Sequence, residues 1–316
     1  MMNRKVLLVA GGGTIGTYTC EELLNQGHFV DVICLEDKKS DNEKLKFYKE
    51  NVTDEFLAEF LKDKHYDAIV NYMHYTDVED YKKTYRILIN STDHLVFLSS
   101  YRVYAETKTP IKEDSPKLLD VVTEKEFLET EDYAIPKTKC ENFLKIECKN
   151  QPWTVVRPVI SFSDKRLDLL MYGGLQVLEY AEANKELILP ESAKNLTAGF
   201  DWAKNSGKLI ANLLFKPETF GECYTISSAQ NLTWGEIADT YSEVTGLKVR
   251  WTDEEEFLRD PMFEFQYKVW GYFYDRIYDR KIDNSKVLIA TGLKKEDLDS
   301  IKEGIKFEIN KIKGEK

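Results

Sequence analysis

Tyr133 and Lys137 stand four residues apart, a spacing that puts both on one face of a helix. A phenol ordinarily ionises near pH ~10. An ammonium beside it stabilises the phenolate and lowers that value, so the tyrosine can take up or release a proton near neutrality. Ser100 follows the apolar run that starts at His94. If that run is a parallel strand, the serine lies just past its C-terminal end, where its hydroxyl can hold a carbonyl or an alcohol. Gly11, Gly13 and Gly16 follow the run Val6–Ala10. One glycine permits a tight turn, one lets the backbone approach a pyrophosphate, and one lets a helix pack close to the strand. The helix that starts near Thr14 aims its first N–H groups at those phosphates. Together these groups describe proton transfer at a substrate held beside a dinucleotide.

The elements that must position them alternate. Val6–Ala10 reads as a strand buried on both faces. Ile15–Asn25 is helical, with Gly27 as its terminator. Phe29–Cys34 is a second strand, and Glu36 and Asp37 follow it, where an acid holds the adenosine ribose. Lys38 and Lys39 come next and favour a 2′-phosphate instead, so NAD and NADP both stay open. Leu45–Tyr48 is a weak third strand, and a helix over Phe56–Lys64 is capped by Thr53 or Asp54. Tyr66–Tyr72 is the fourth strand. Thr76 and Glu79 form a capping box for a helix to about Asn90, and His94–Ser99 is the fifth strand. The stretch Tyr104–Thr130 reads as loop, ending in a short helical piece capped by Thr123 and Glu126. Tyr133–Cys148 is a helix despite Pro136, because proline is tolerated in a first turn. Trp153–Val156, closed by Arg157-Pro158, is the sixth strand. Strands alternating with helices predict a doubly wound parallel sheet.

The second half reads differently. Leu167–Tyr180 has helical spacing around Gly173-Gly174, Leu187–Leu189 is a short strand, and Asp201 caps a helix to about Phe215. Glu222–Ile226 is another strand. Thr233 and Glu236 form a capping box for a helix to about Val244. From Val249 to Arg280 the chain is strongly aromatic, which suits the core of a small cap better than a stacking site for a base.

Composition narrows the function. The chain has 316 residues and a formal net charge of −11, which opposes a nucleic-acid or membrane-surface partner. Its five cysteines are scattered and form no CxxC pair, as expected of reduced thiols in a cytoplasmic protein. There is no signal-peptide pattern, no bilayer-length apolar run and no metal-ligand spacing, so no metal is expected.

Taken together, the chain resembles the extended short-chain dehydrogenase/reductases of the NAD-dependent epimerase/dehydratase family, which includes nucleotide-sugar epimerases. The resemblance rests on Val9–Gly16, Asn51-Val52-Thr53-Asp54, Asp67–Tyr72, Ser99–Tyr104, Tyr133–Lys137 with Glu141, and Arg157-Pro158. Looser matches lie at Asp201-Trp202-Ala203, Thr233–Ile237 and Asp283–Lys286. It implies pyrophosphate contacts from Gly11, Gly13, Thr14, Ile15 and Gly16, and Glu36 on the adenosine ribose. Asn51 and Val52 lie beside the adenine, and Pro158 and Val159 by the nicotinamide. Tyr133 is then the acid/base, Lys137 its tuner and ribose ligand, and Ser100 the substrate hydrogen-bonder. The sequence departs from the pattern in four places. Ala10 stands at the first glycine of the family's G-x-x-G-x-x-G, and Asn51 where an Asp is usual. Met73 and His74 replace small residues, and Pro136 interrupts the Tyr–Lys turn. His74 is either an additional acid/base or a bulky loop residue.

The resulting expectation is an α/β protein with a Rossmann-type doubly wound parallel sheet and a smaller C-terminal α+β substrate domain. Residues 1–160, with 196–228 returning to them, bind NAD or NADP; 161–195 and 229–316 mainly hold the substrate. The expected activity is hydride transfer on a sugar, that of a nucleotide-linked substrate, in an oxidoreductase, epimerase or dehydratase. The alternatives are a non-catalytic cofactor-sensing or RNA-binding member of the same fold, and a reductase of a non-sugar ketone. The family also implies a homodimer formed through a helix pair.

Overall fold

In the computed structural model, which describes residues 3–130 and 133–314, the run Val6–Val9 is fully buried. It forms most of strand β1 (Lys5–Val9), which leads through the glycine turn into helix α1 (Thr14–Asn25). There follow β2 (Phe29–Cys34), β3 (Leu45–Lys49), α2 (Asp54–Leu61), β4 (Ala68–Asn71), α3 (Val78–Ile89) and β5 (Leu95–Leu98). Two short helices, α4 (Leu118–Val121) and α5 (Lys125–Glu129), precede α6 (Ala134–Glu147) and β6 (Trp153–Pro158). The chain continues with β7 (Ile160–Phe162), α7 (Gln176–Glu182), β8 (Glu186–Pro190), β9 (Phe200–Trp202), α8 (Ala203–Leu213) and β10 (Glu222–Ile226). It ends with α9 (Trp234–Thr245), β11 (Lys248–Thr252), α10 (Glu254–Phe257), α11 (Gln266–Gly271), α12 (Ser285–Thr291) and α13 (Ile301–Lys313).

Seven strands form one parallel sheet in the order β3-β2-β1-β4-β5-β6-β10. Alternate residues of each strand face opposite layers. Leu7, Val9, Ile69, Phe97 and Val155 pack against Leu57, Leu88 and Leu144 on one side. Val6, Leu8, Val70, Val96 and Val156 pack against Leu23, Leu209, Ile210 and Val287 on the other. Burial on both faces is what a parallel sheet with crossover helices requires. The winding reverses between β1 and β4, so the loops leaving those two strands diverge and open a crevice at the carboxyl edge of the sheet.

The rest of the second half forms a separate apolar core, with the parallel pair β8–β11 and the parallel pair β7–β9 at its sides. The aromatic stretch supplies core, as expected. Phe257 and Tyr272 are buried in it, and Trp270 and Tyr274 pack on Phe127 of α5. Glu308 on α13 is fully buried and accepts hydrogen bonds from Tyr18 of α1 and from Trp202 Nε1. It thereby ties the last helix to the sheet's own layer.

Three local expectations are corrected. Leu167–Tyr180 is not one helix. Leu169 and Tyr172 exchange backbone hydrogen bonds, Leu170 has φ +52°, and helix starts only at Gln176. The apolar spacing that imitates a helix is met by a tight turn that buries Leu167, Leu169 and Leu170. Asp201 does not cap α8: it lies inside β9, where its carboxylate accepts from Asn205 Nδ2 and Ser228 Oγ, each at 2.9 Å. Finally, α3 is capped by Asp77 rather than Thr76, because the Asp77 carboxylate accepts from Glu79 N at 3.0 Å.

Candidate active site

The glycine turn opens the crevice. Ala10 has φ +55°, a left-handed conformation that costs an alanine about 1 kcal/mol and that glycine adopts freely. It occupies the place of the first glycine in the longer register, so the motif runs Ala10, Gly13, Gly16. A side chain on Gly16 would meet Gly11 O at 2.3 Å, so α1 sits directly on the turn. Gly13 has no atom within 4 Å of where a side chain would begin, and it caps α1 with no side-chain bond. The first N–H groups of the helix therefore face open space, ready for an anion. Two lysines add positive charge at this point. Lys165 Nζ donates to Gly12 O and to Thr17 Oγ1, and Lys38 Nζ donates to Gly12 O at 3.3 Å.

Two cavities meet at this turn, sharing Ala10, Gly13 and Tyr72. The smaller, 310 Å³, is bordered by Glu36, Asn51, Val52 and His74. The larger, 440 Å³, is bordered by Thr14, Ile15 and Gly16 at one end, and also by Ser100, Tyr133, Pro158 and Val159. The trough has the parts a dinucleotide needs: an acid past β2, a cradle of backbone at a helix start, and an apolar wall on β6. The cofactor expected from the sequence fits it.

Of the site residues expected from the sequence, the trough collects all but two. Gly11 is buried behind it, donating its N–H to Ile33 O at 3.0 Å, and borders neither cavity. Lys137 is buried, and its Nζ donates to Leu98 O at 2.6 Å and Met73 O at 3.2 Å. Its ammonium thus anchors the ends of β4 and β5 and does not border the trough. Burial pushes Lys137 down to about 8.

Tyr133 sits at the start of α6, with helical φ and ψ of −42° and −36°, so the helix tolerates Pro136 in its first turn. The Lys137 ammonium is 5.7 Å from the Tyr133 ring centre. Burial raises the phenol above its ordinary value. The nearby charges of Arg102 and Arg166, and the Ser100 hydroxyl, oppose that rise. Arg102 and Lys137 thus lie at similar distances from the Tyr133 ring, 5.6 and 5.7 Å. The His74 ring stacks on Tyr133 at 5.0 Å between ring centres and 24° between planes, which brings the histidine to the site.

A buried ion pair holds α6 in register with the sheet. Glu141 accepts from Arg157 Nε at 2.8 Å, from Arg157 Nη2 at 2.6 Å and from Ser99 Oγ at 2.6 Å. Burial alone would raise the Glu141 carboxyl, but Arg157 reverses this and holds it at about 2. One carboxylate thus joins the helix of Tyr133 to β6 and to the residue beside Ser100. Arg157→Met leaves that carboxylate buried without its partner. The variant is expected to lose about 3–5 kcal/mol of unfolding free energy, read from urea denaturation; a loss under 1 kcal/mol refutes the clamp.

The sheet order, the glycine turn at the switch point and the Ser–Tyr pair across the crevice define the class: a Rossmann-type extended short-chain dehydrogenase/reductase fold. Comparison with known proteins agrees. Residues 7–163 match the model of the NAD dependent epimerase/dehydratase family. A UDP-glucose 4-epimerase of Lactobacillus helveticus is 32% identical over 133 aligned residues, covering 35% of this chain and 40% of that protein. The chain therefore matches less than half the length of this curated relative. Among solved structures, UDP-N-acetylglucosamine 4-epimerase from Bacillus cereus superposes with a TM-score of 0.71 at 17% identity, covering 99% of this chain and 98% of that one. UDP-glucuronic acid 4-epimerase from Bacillus cereus, solved with UDP-glucuronic acid and NAD, superposes with a TM-score of 0.69 at 16% identity, covering 98% of this chain and 99% of that one. At such identities the likeness is one of fold. Among the described residues no helix is long and apolar enough to cross a membrane.

The residues that sequence reasoning missed are chiefly cationic: Arg102, Lys165, Arg166 and Arg276. Arg102 had a signal, since it lies two positions after Ser100. Arg276 had none, because it sits in the aromatic stretch read as core.

Proposed function

We propose that this chain is an NAD(P)-dependent epimerase or related oxidoreductase acting on the sugar of a nucleotide sugar, with Tyr133 as acid/base. The observation that carries the reading is that Ser100 and Tyr133 border the same cavity as the glycine turn. Thr14, Ile15 and Gly16 would hold the pyrophosphate, Glu36 the adenosine ribose, and Pro158 and Val159 the nicotinamide face. Bound there, the nicotinamide supplies a hydride acceptor and donor. The protein's part is to position and to move a proton. Ser100 Oγ orients the substrate hydroxyl, and Tyr133 Oη takes its proton as the carbon–hydrogen bond is broken. Arg102 and Arg166 stabilise the phenolate that the step requires. A third cavity of 220 Å³, bordered by Arg166, Lys268 and Arg276, adjoins the larger one and suits the diphosphate of the nucleotide.

Titration calorimetry with NAD, NADH, NADP and NADPH tests the cofactor, and mass spectrometry of ligands released from the purified protein tests both cofactor and substrate. At least one dinucleotide is expected to bind with a dissociation constant of about 10 μM or tighter, a binding free energy near −7 kcal/mol. Absence of binding by all four overturns the proposal.

A further inference from the structure

His74 stands where the two halves of the trough meet. It borders the smaller cavity, with Gly13, Glu36 and Asn51, while its ring stacks on Tyr133, which borders the larger one. A dinucleotide with its adenosine at Glu36 and its nicotinamide at Pro158 and Val159 has to pass this point. The half that lies beside Tyr133 is the nicotinamide half, since the tyrosine must reach the substrate hydroxyl next to the carbon that exchanges hydride.

The sugar of that half is a ribose, and its two adjacent hydroxyls need polar partners once water is displaced from them. The junction offers few. Ala10 and Gly13, common to both cavities, have no polar side chain. The hydroxyl of Tyr72, the third residue common to both, donates to Thr19 Oγ1 at 2.7 Å. Lys137, which the sequence resemblance puts on this ribose, donates to Leu98 O and Met73 O and borders neither cavity. His74 is exposed, and neither nitrogen of its ring has a hydrogen-bond partner among the described residues. Because the ring presents its face to Tyr133, its in-plane nitrogens point away from the phenol and are available to a ligand beside it. Partial burial and the Lys137 charge hold the imidazole below its ordinary pKa. At neutral pH it therefore presents one donor and one acceptor, the pair that two neighbouring hydroxyls can engage.

Resting on the reading of the trough as a dinucleotide site, we propose that His74 is a ligand of the nicotinamide ribose, hydrogen-bonding the hydroxyls that Lys137 does not reach. The same ring braces Tyr133, so one side chain sets the spacing between the cofactor and the acid/base.

Titration calorimetry on the full chain at neutral pH tests this with three probes. They are NAD, ADP-ribose, which keeps both riboses and lacks the nicotinamide, and ADP, which lacks the second ribose as well. Their counterparts with a phosphate on the adenosine 2′ position replace them if the unaltered protein takes NADP. His74→Phe keeps a ring on Tyr133 and removes both nitrogens; His74→Ala removes the ring as well. Both variants are expected to bind NAD and ADP-ribose about three- to tenfold more weakly, the effect of one or two neutral hydrogen bonds, with ADP binding unchanged. ADP binding also reports that the variants are folded. Affinity for NAD and ADP-ribose within about twofold of the unaltered protein in either variant overturns the inference. So does an equal loss of ADP binding, which would put His74 on the adenosine half, and so does tighter binding by His74→Ala, which would mean that the ring only crowds the cofactor. In all three results the unaltered protein still binds the dinucleotide, and that reading stands. Failure of the unaltered protein to bind any of the probes removes the dinucleotide reading, and the inference with it.

Discussion

Tyr133→Phe is expected to lower turnover by about 10²–10⁴-fold, the usual contribution of a positioned acid/base group. The substitution removes one hydroxyl and keeps the ring. The stack on His74 and the approach of Arg102 to the ring both survive it, so the melting temperature should stay within a degree or two. The glycine turn and Glu36 are also untouched, so affinity for the dinucleotide should be unchanged. Steady-state kinetics at saturating cofactor, beside a cofactor titration of the same preparation, give both numbers. Turnover equal to that of the unaltered protein overturns the role of Tyr133. Loss of cofactor binding in step with activity would instead make the hydroxyl part of the cofactor site.

The second large effect belongs to the glycine turn and separates folding from binding. A methyl group at Gly16 would lie 2.3 Å from Gly11 O and 2.8 Å from Gly11 C, both of them backbone atoms that cannot swing aside. Helix α1 would have to lift from the turn. Gly16→Ala is therefore expected to cost about 1–3 kcal/mol of stability and to weaken dinucleotide binding at least 100-fold, because the helix N-terminus moves from the pyrophosphate. A methyl group at Gly13 meets no protein atom within 4 Å. Gly13→Ala is expected to unfold at the same urea concentration as the unaltered protein, yet to bind the dinucleotide at least about tenfold more weakly, since the methyl enters the space the phosphates need. Equal binding by both variants and the unaltered protein would show that the turn does not hold a cofactor.

The doubly wound sheet was legible because its evidence is local. Val6–Val9 is a continuous apolar run, as a strand buried on both faces must be, and Phe29–Cys34, apolar but for Asp31, has the same bounds in sequence and structure. The order of Gly13, Gly16, Ser100 and Tyr133 was equally legible, since each falls at the carboxyl end of a strand or the start of a helix, and a parallel sheet brings those ends to one edge. The stretch Leu167–Tyr180 was misread because helical spacing records only which residues want burial, and a turn at Leu170 buries the same leucines.

The sequence by itself determined that this chain winds a parallel sheet around a glycine turn. Periodicity and spacing suffice for that, because both are properties of neighbouring residues. Only the tertiary structure decided where the charges lie. Lys137, four residues from Tyr133, is drawn inward by the carbonyls of Leu98 and Met73. Arg166 and Arg276, 33 and 143 positions beyond Tyr133 in the chain, arrive at the crevice because the second core folds over it. Charge acts through space across any sequence separation, so cations distant from one another in the chain come to share one crevice.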